Sequence, residues 1–123
     1  MLISLHEVAK ESERKRVNLD LRTTPEDTSQ RMLNVLEPGT EVPIHRHENT
    51  SETIVCLEGC MDVVTYEVSA EKVGGFVEKC RYRLCPREAQ YGVQLPKGAW
   101  HSVEVYEPST IFEAKDGRFV PQR

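Results

Sequence analysis

A chain of 123 residues has room for one domain around one core. Its 38% hydrophobic and 29% charged residues can build that core but are too polar for a bilayer, and no run approaches the ~18 apolar residues of a spanning helix. A formal charge of −4, with no basic stripe, argues against nucleic acid as a partner.

The N-terminal segment MLISLHEVAKESERKR lacks the uninterrupted apolar stretch of a secretory signal, so the cytoplasm is the expected location. Residues 4–14 predict a short helix. Ser4 and Glu7 stand at capping-box spacing, and Leu5, Val8 and Ala9 form a narrow apolar stripe. The cluster Glu13 to Arg16 reads as a solvated helix end. Residues 17–30 are polar and irregular, with TTPED marking a turn and Pro25 near its start. Residues 1–30 are therefore expected to drape over the barrel of residues 31–123 and to contribute little chemistry.

From Gln30 onward the pattern becomes short β-prone runs separated by turn residues: RMLNVL, EVPIHRH, ETIVCL, CMDVVTYEV, FVEKCRYRL, YGVQL, AWHSVEV and TIFEA. Runs of this length and spacing predict an all-β barrel or sandwich, and no βα alternation suggests a parallel sheet. The expected fold is an all-β barrel with a short N-terminal helix. Cys56, Cys60, Cys80 and Cys85 sit inside apolar or strand-like runs. They read as buried thiols acting as small hydrophobes, in preference to disulfides or a zinc knuckle.

The chemistry concentrates in PGTEVPIHRHENTSETIVCLEG. On a strand, His45 and His47 project to one face and Arg46 to the other. The turn ENTS reverses the chain, and Glu52 opens the next run, where its carboxylate can lean toward the same point. Two imidazoles and a carboxylate around an open position form the facial arrangement used by non-haem iron. Without a metal, the same pair could be hydrogen-bonded histidines, but packing them beside a carboxylate in a barrel is costly unless something satisfies them. His101, delivered by the Pro96–Gly98 turn of QLPKGAWHSVEV, favours the metal. Only His6 lies outside these two segments.

The first segment resembles the first cupin motif, G-x5-H-x-H-x4-E-x6-G, with Gly39, His45, His47, Glu52 and Gly59 in place. The second resembles the core of the second motif, P-x-G-x2-H, at Pro96, Gly98 and His101. Val105 stands where that motif has asparagine, and Gln90 where it has an upstream glycine, with Gly92 nearby. Neither position is a metal ligand in the family. The resemblance implies a small cupin barrel of jelly-roll type with His45, His47, Glu52 and His101 as ligands. QRMLNVLEPGTEVPIHRHENTSET, GVQLPKGAWHSVEVYEPSTIFEAKDG and the polar N-terminal segment are also similar to the WbuC family of cupin-fold metalloproteins. That likeness implies a setting in O-antigen and surface-polysaccharide biosynthesis, with the reaction undefined.

Three imidazoles and one carboxylate suit one divalent transition metal ion, Fe, Zn, Mn or Ni, and leave places open for a small molecule such as a sugar. Arg31 and Asn34 before the first motif, Gln94 before Pro96, and Lys115 on the last run are candidate substrate-binding residues, and Glu113 is a candidate base. Trp100 and Arg46 are expected to face away from the metal. The expected activity is that of a metal-dependent enzyme on a small molecule, an oxygenase or an isomerase. A non-catalytic metal-containing binding module and a metal-free sugar isomerase or epimerase are the alternatives. An exposed sheet edge would also admit a homodimer.

Overall fold

Two strands of 17 residues each carry the architecture. The computed structural model describes residues 2–116, with side chains from Leu5 onward. Helix α1 (Leu2–Glu11) leads into β1 (Arg16–Asp20), β2 (Ser29–Leu36), β3 (Glu52–Val68) and β4 (Phe76–Leu84). A 3-10 turn at Pro86–Glu88 precedes β5 (Gly92–Leu95) and β6 (Trp100–Asp116). The strands pair antiparallel in the order β1-β2-β6-β3-β4, and β5 pairs with the first half of β3. No helix of the described residues is long and apolar enough to cross a membrane.

The long strands arise by fusion. ETIVCL and CMDVVTYEV, expected as separate strands, join into β3, and AWHSVEV and TIFEA join into β6. The register between β3 and β6 shifts repeatedly from Cys56 to Met61, and irregular pairing sharpens the local twist. Gly59, at φ +101°, packs so close to β6 that a Cβ there would lie 2.3 Å from Ser109 Oγ. Glycine is required at this crossing.

Three further expectations need correction. Residues 16–20 form strand β1 paired with β2, not an irregular segment, because RVNLD alternates polar and apolar side chains. EVPIHRH is not a strand. It runs as a loop with one isolated bridge, His45 to His101, since Pro43 lacks the N–H that a ladder needs. The helix also starts at Leu2, so Ser4 lies inside it and cannot be its N-cap. Residues 117–123 of the expected barrel lie outside the described residues.

Leu36, Ile54, Cys56, Met61, Val63, Leu84, Leu95, Val105 and Ile111 form the core. Burying each large aliphatic side chain contributes about 1.5–3 kcal/mol. In β3, Glu52, Ile54 and Cys56 point inward with period two, so the strand that builds the core also aims Glu52 into the interior. The helix is pinned to the barrel by His6, whose Nδ1 lies 2.8 Å from Glu37 Oε2 and whose Nε2 lies 2.9 Å from Glu58 Oε1. All four cysteines are free thiols, and three of them are buried. Cys60 and Cys85 approach Glu88, but burial first, and then hydrogen bonding with Glu88 and Cys60, push the Cys85 thiol up to about 11. Cys56 and Cys60 are buried among the apolar side chains of the core, in keeping with thiols that act as small hydrophobes.

Candidate metal centre

His45 and His101 are held by their backbones before their rings meet. His45 N–H donates to His101 O at 3.0 Å, and His101 N–H donates to His45 O at 2.8 Å. Gly98 N–H adds a bond to His47 O at 2.9 Å from a turn whose residue lies at φ +81°, a conformation open to glycine. This short extended stretch preserves the alternation that a strand would give. Arg46 points away, stacking 4.5 Å from the Trp100 ring centroid, and Trp100 packs on Phe76.

The three imidazoles converge. Their ring centroids stand 4.3, 5.3 and 5.6 Å apart, and one nitrogen from each lies within 4.8 Å of the others. Glu52, only 4% exposed, reaches both His47 Nε2 at 3.4 Å and His101 Nε2 at 3.3 Å.

Two backbone carbonyls set the tautomers. His45 Nδ1 donates to Pro43 O and His101 Nδ1 donates to Ala99 O, each at 2.9 Å. A carbonyl can only accept, so each Nδ1 keeps its proton and a neutral ring presents the Nε2 lone pair. The lone pair of His101 then faces a carboxylate oxygen at 3.3 Å, acceptor against acceptor, which a cation or a proton between them must relieve. With a proton there, burial acts to raise the Glu52 carboxyl, but hydrogen bonds from His101 and His47 outweigh it and hold the group at about 2. Burial lowers His101, yet Glu52 and the Ala99 carbonyl leave it raised overall. Burial, then the charge of His101, lowers His45. Three nitrogens, one buried carboxylate and carbonyl-fixed tautomers fit a divalent transition metal ion.

These residues line a cavity of about 460 Å³. Asn34 and Glu113 line it, and Asn34 Nδ2 donates to Glu113 Oε1 at 3.2 Å. Burial first, and then the charge of Glu52, push the Glu113 carboxyl up to about 7. Arg31 and Gln94 stand outside the cavity. Arg31 alternates with the inward Gln30 and Met32 and pairs with Asp27 at 2.5 Å, whereas Gln94 accepts from Thr53 Oγ1 at 2.5 Å on the outer face of β5. Arg31 and Asn34, three apart on one regular strand, cannot share a face. Lys115 is not on the cavity wall, although Glu52 and Glu113 act on its charge. The sequence reading missed Arg14, Arg16 and Asn18 on the wall. The alternation in RVNLD was the available signal.

The barrel has structural counterparts among solved proteins. The capsular polysaccharide assembling protein CapF of Staphylococcus aureus superposes with a TM-score of 0.65 at 18% identity, over 89% of this chain and 28% of that one. KdgF from Halomonas sp. gives 0.60 at 17% identity, over 85% and 80%. The cupin domain of Cnp3 from Schizosaccharomyces pombe gives 0.63 at 11% identity, over 86% and 67%. At these identities the likeness defines the fold: this is a cupin barrel. The chain thus spans less than a third of CapF. By sequence it belongs to the family described as a domain of unknown function (DUF6016), which matches residues 1–77 and so includes His45, His47 and Glu52. No curated protein matches it.

Proposed function

We propose that the chain is a metal-dependent cupin enzyme that acts on a small oxygen-rich molecule, a sugar or a nucleotide sugar. One observation carries this reading. Three imidazoles and a buried carboxylate meet on the wall of a cavity, with two Nδ1 protons committed to backbone carbonyls. His45, His47, Glu52 and His101 would hold one divalent ion, Fe, Zn, Mn or Ni, which when bound supplies Lewis-acid or redox chemistry.

The chain's own groups divide the remaining work. Glu113, near neutrality, exchanges a proton at its carboxyl, and Asn34 orients it through Nδ2. Leu36, Ile54, Val103 and Ile111 on the wall exclude water. The resemblance to WbuC cupins supports a role in surface-polysaccharide, O-antigen type, biosynthesis, set in the cytoplasm. A metal-free isomerase relying on a histidine–tyrosine pair fits less well, because no tyrosine lines the cavity among the described residues. The test is elemental analysis of protein purified without chelator or histidine tag. About one equivalent of a transition metal, lost in His47→Ala, supports the reading. No metal, and none taken up on addition, overturns it.

A further inference from the structure

Ion pairing separates two arginines from the rest. Arg22, Arg31, Arg46, Arg81, Arg83 and Arg87 each hold a carboxylate within ion-pair distance. Among the described residues Arg14 and Arg16 hold none, and both line the cavity. Glu113 acts on the charge of Arg16 only from beyond that distance. Register brings the polar wall together: β1 lies on β2 with Asn18 opposite Asn34 and Arg16 opposite Leu36.

The same wall holds every buried side-chain polar atom that lacks a hydrogen-bond partner among the described residues: Arg16 Nε, Gln30 Oε1 and Asn34 Oδ1. A buried donor or acceptor left unsatisfied is costly, so three on one cavity wall call for partners from outside the chain, from a ligand or from water. Their chemistry describes that partner. Arg16 stays charged in any protein and its Nε donates, so it calls for an anionic acceptor. The Asn34 amide is oriented by its bond to Glu113, which leaves Oδ1 to accept from a hydroxyl. A hydroxyl, able to donate and accept, satisfies the Gln30 amide in either orientation. Among the described residues no Phe, Tyr or Trp lines the cavity, so a nucleobase would have no such ring to stack on.

We propose that the β1–β2 wall is an anion-and-hydroxyl subsite and that the cavity's ligand is a small hydroxylated acid. Its carboxylate or phosphate sits on Arg16 and Arg14, and its hydroxyls reach Asn34 and Gln30. The assignment builds on the metal-centre reading, which places the other end of the same ligand toward the histidines.

Isothermal titration of the purified protein with D-glucuronate, D-glucose 6-phosphate and D-glucose, alongside metal analysis of each sample, tests it. The expected result is that at least one acid binds and glucose does not, with the preferred acid deciding between carboxylate and phosphate. Arg16→Gln should weaken that acid by at least about tenfold with metal content unchanged. Arg14→Gln, at an exposed position, should weaken it in the same direction and covers the case in which Arg16→Gln misfolds. Failure of both acids to bind, glucose binding as tightly as the acids, or unchanged affinity in both variants would overturn the subsite. Acid binding through Arg16 in protein that neither holds nor takes up metal would overturn the metal centre and leave the subsite standing.

Discussion

Asn34 and Glu113, 79 residues apart in sequence, meet on the cavity wall with Asn34 Nδ2 donating to Glu113 Oε1 at 3.2 Å. Strand pairing makes the contact: β2 runs beside β6 with Asn34 opposite Ile111 and Met32 opposite Glu113. One polar residue thus supports a carboxyl that burial, and then the charge of Glu52, hold at about 7 against an ordinary 4.5. The folded state therefore binds this proton more tightly than the unfolded chain does. Its contribution is fully present below about pH 4.5 and is lost as pH rises toward 7. In metal-depleted protein, Glu113→Gln should lose less stability between pH 5 and 8 than wild type, by on the order of 1–3 kcal/mol. Urea unfolding across that range checks this, and parallel profiles would remove Glu113 from the account.

Metal content should separate the histidines by role. His47→Ala and His101→Ala each lose an imidazole from the cluster and should retain little metal. His6→Ala breaks the contacts with Glu37 and Glu58 that hold the helix, so it should lower the melting temperature and leave metal content near wild type. Retention should also fall as pH drops through ~6.5, because a protonated imidazole cannot ligate. Elemental analysis after dialysis at several pH values reads both effects. Equal metal in all three variants would contradict the ligand assignment.

Much of the centre was legible in the sequence because its spacing is local. His45, His47 and Glu52 lie within eight positions of one another, and one reversal suffices to bring them together. Alternation also placed Arg46 and Trp100 correctly, since a short extended stretch keeps period two even without a ladder. The opposite wall was not legible. In β1 the polar residues Arg16 and Asn18 line the cavity instead of an apolar core, so an alternating strand looks like an irregular polar segment. Gly59 and Pro108 read as strand breakers, yet each sits in a long strand where the two strands cross irregularly. Arg31 could be separated from Asn34 only once strand parity was anchored by Gln30 and Met32 pointing inward.

Gly59 offers a direct test of that crossing. A methyl group there would meet Ser109 Oγ at 2.3 Å and Pro108 O at 2.4 Å, and φ +101° is itself a strained angle for an L side chain. Gly59→Ala should destabilise the protein by about 2–4 kcal/mol, combining backbone strain with overpacking. Ser109→Ala alone should cost about 1–3 kcal/mol, because Ser109 Oγ accepts from the buried Cys60 N–H at 3.1 Å. In the double variant, removing the hydroxyl should recover part of the Gly59→Ala loss, but not the part owed to the Pro108 carbonyl. A double-mutant cycle in denaturant measures the coupling, and strict additivity would show that the Ser109 contact does not set the cost.

On the face of β3 away from the cavity, Asp62 is another buried carboxylate, with a structural task. Its oxygens meet Arg83 Nε at 2.6 Å, Tyr106 OH at 2.7 Å and Arg81 at 3.1 Å. Burial acts to raise this carboxyl, but the bonds from Arg83, Tyr106 and Arg81 outweigh it and hold the group below its ordinary 3.8. A depressed carboxylate contributes stability above about pH 4 that disappears as pH falls through its folded value. Asp62→Asn removes the charge and should cost about 1–3 kcal/mol at neutral pH. The cost should shrink in acid, where the unfolded chain binds the proton that the folded carboxylate resists. Arg81 keeps Glu78 and Glu104 as partners, so the damage should stay local to the β3–β4 pairing and spare metal content. Denaturant unfolding at pH 3 and pH 7 decides it: a penalty independent of pH would mean that packing, and not the ion-pair cluster, is what Asp62 provides.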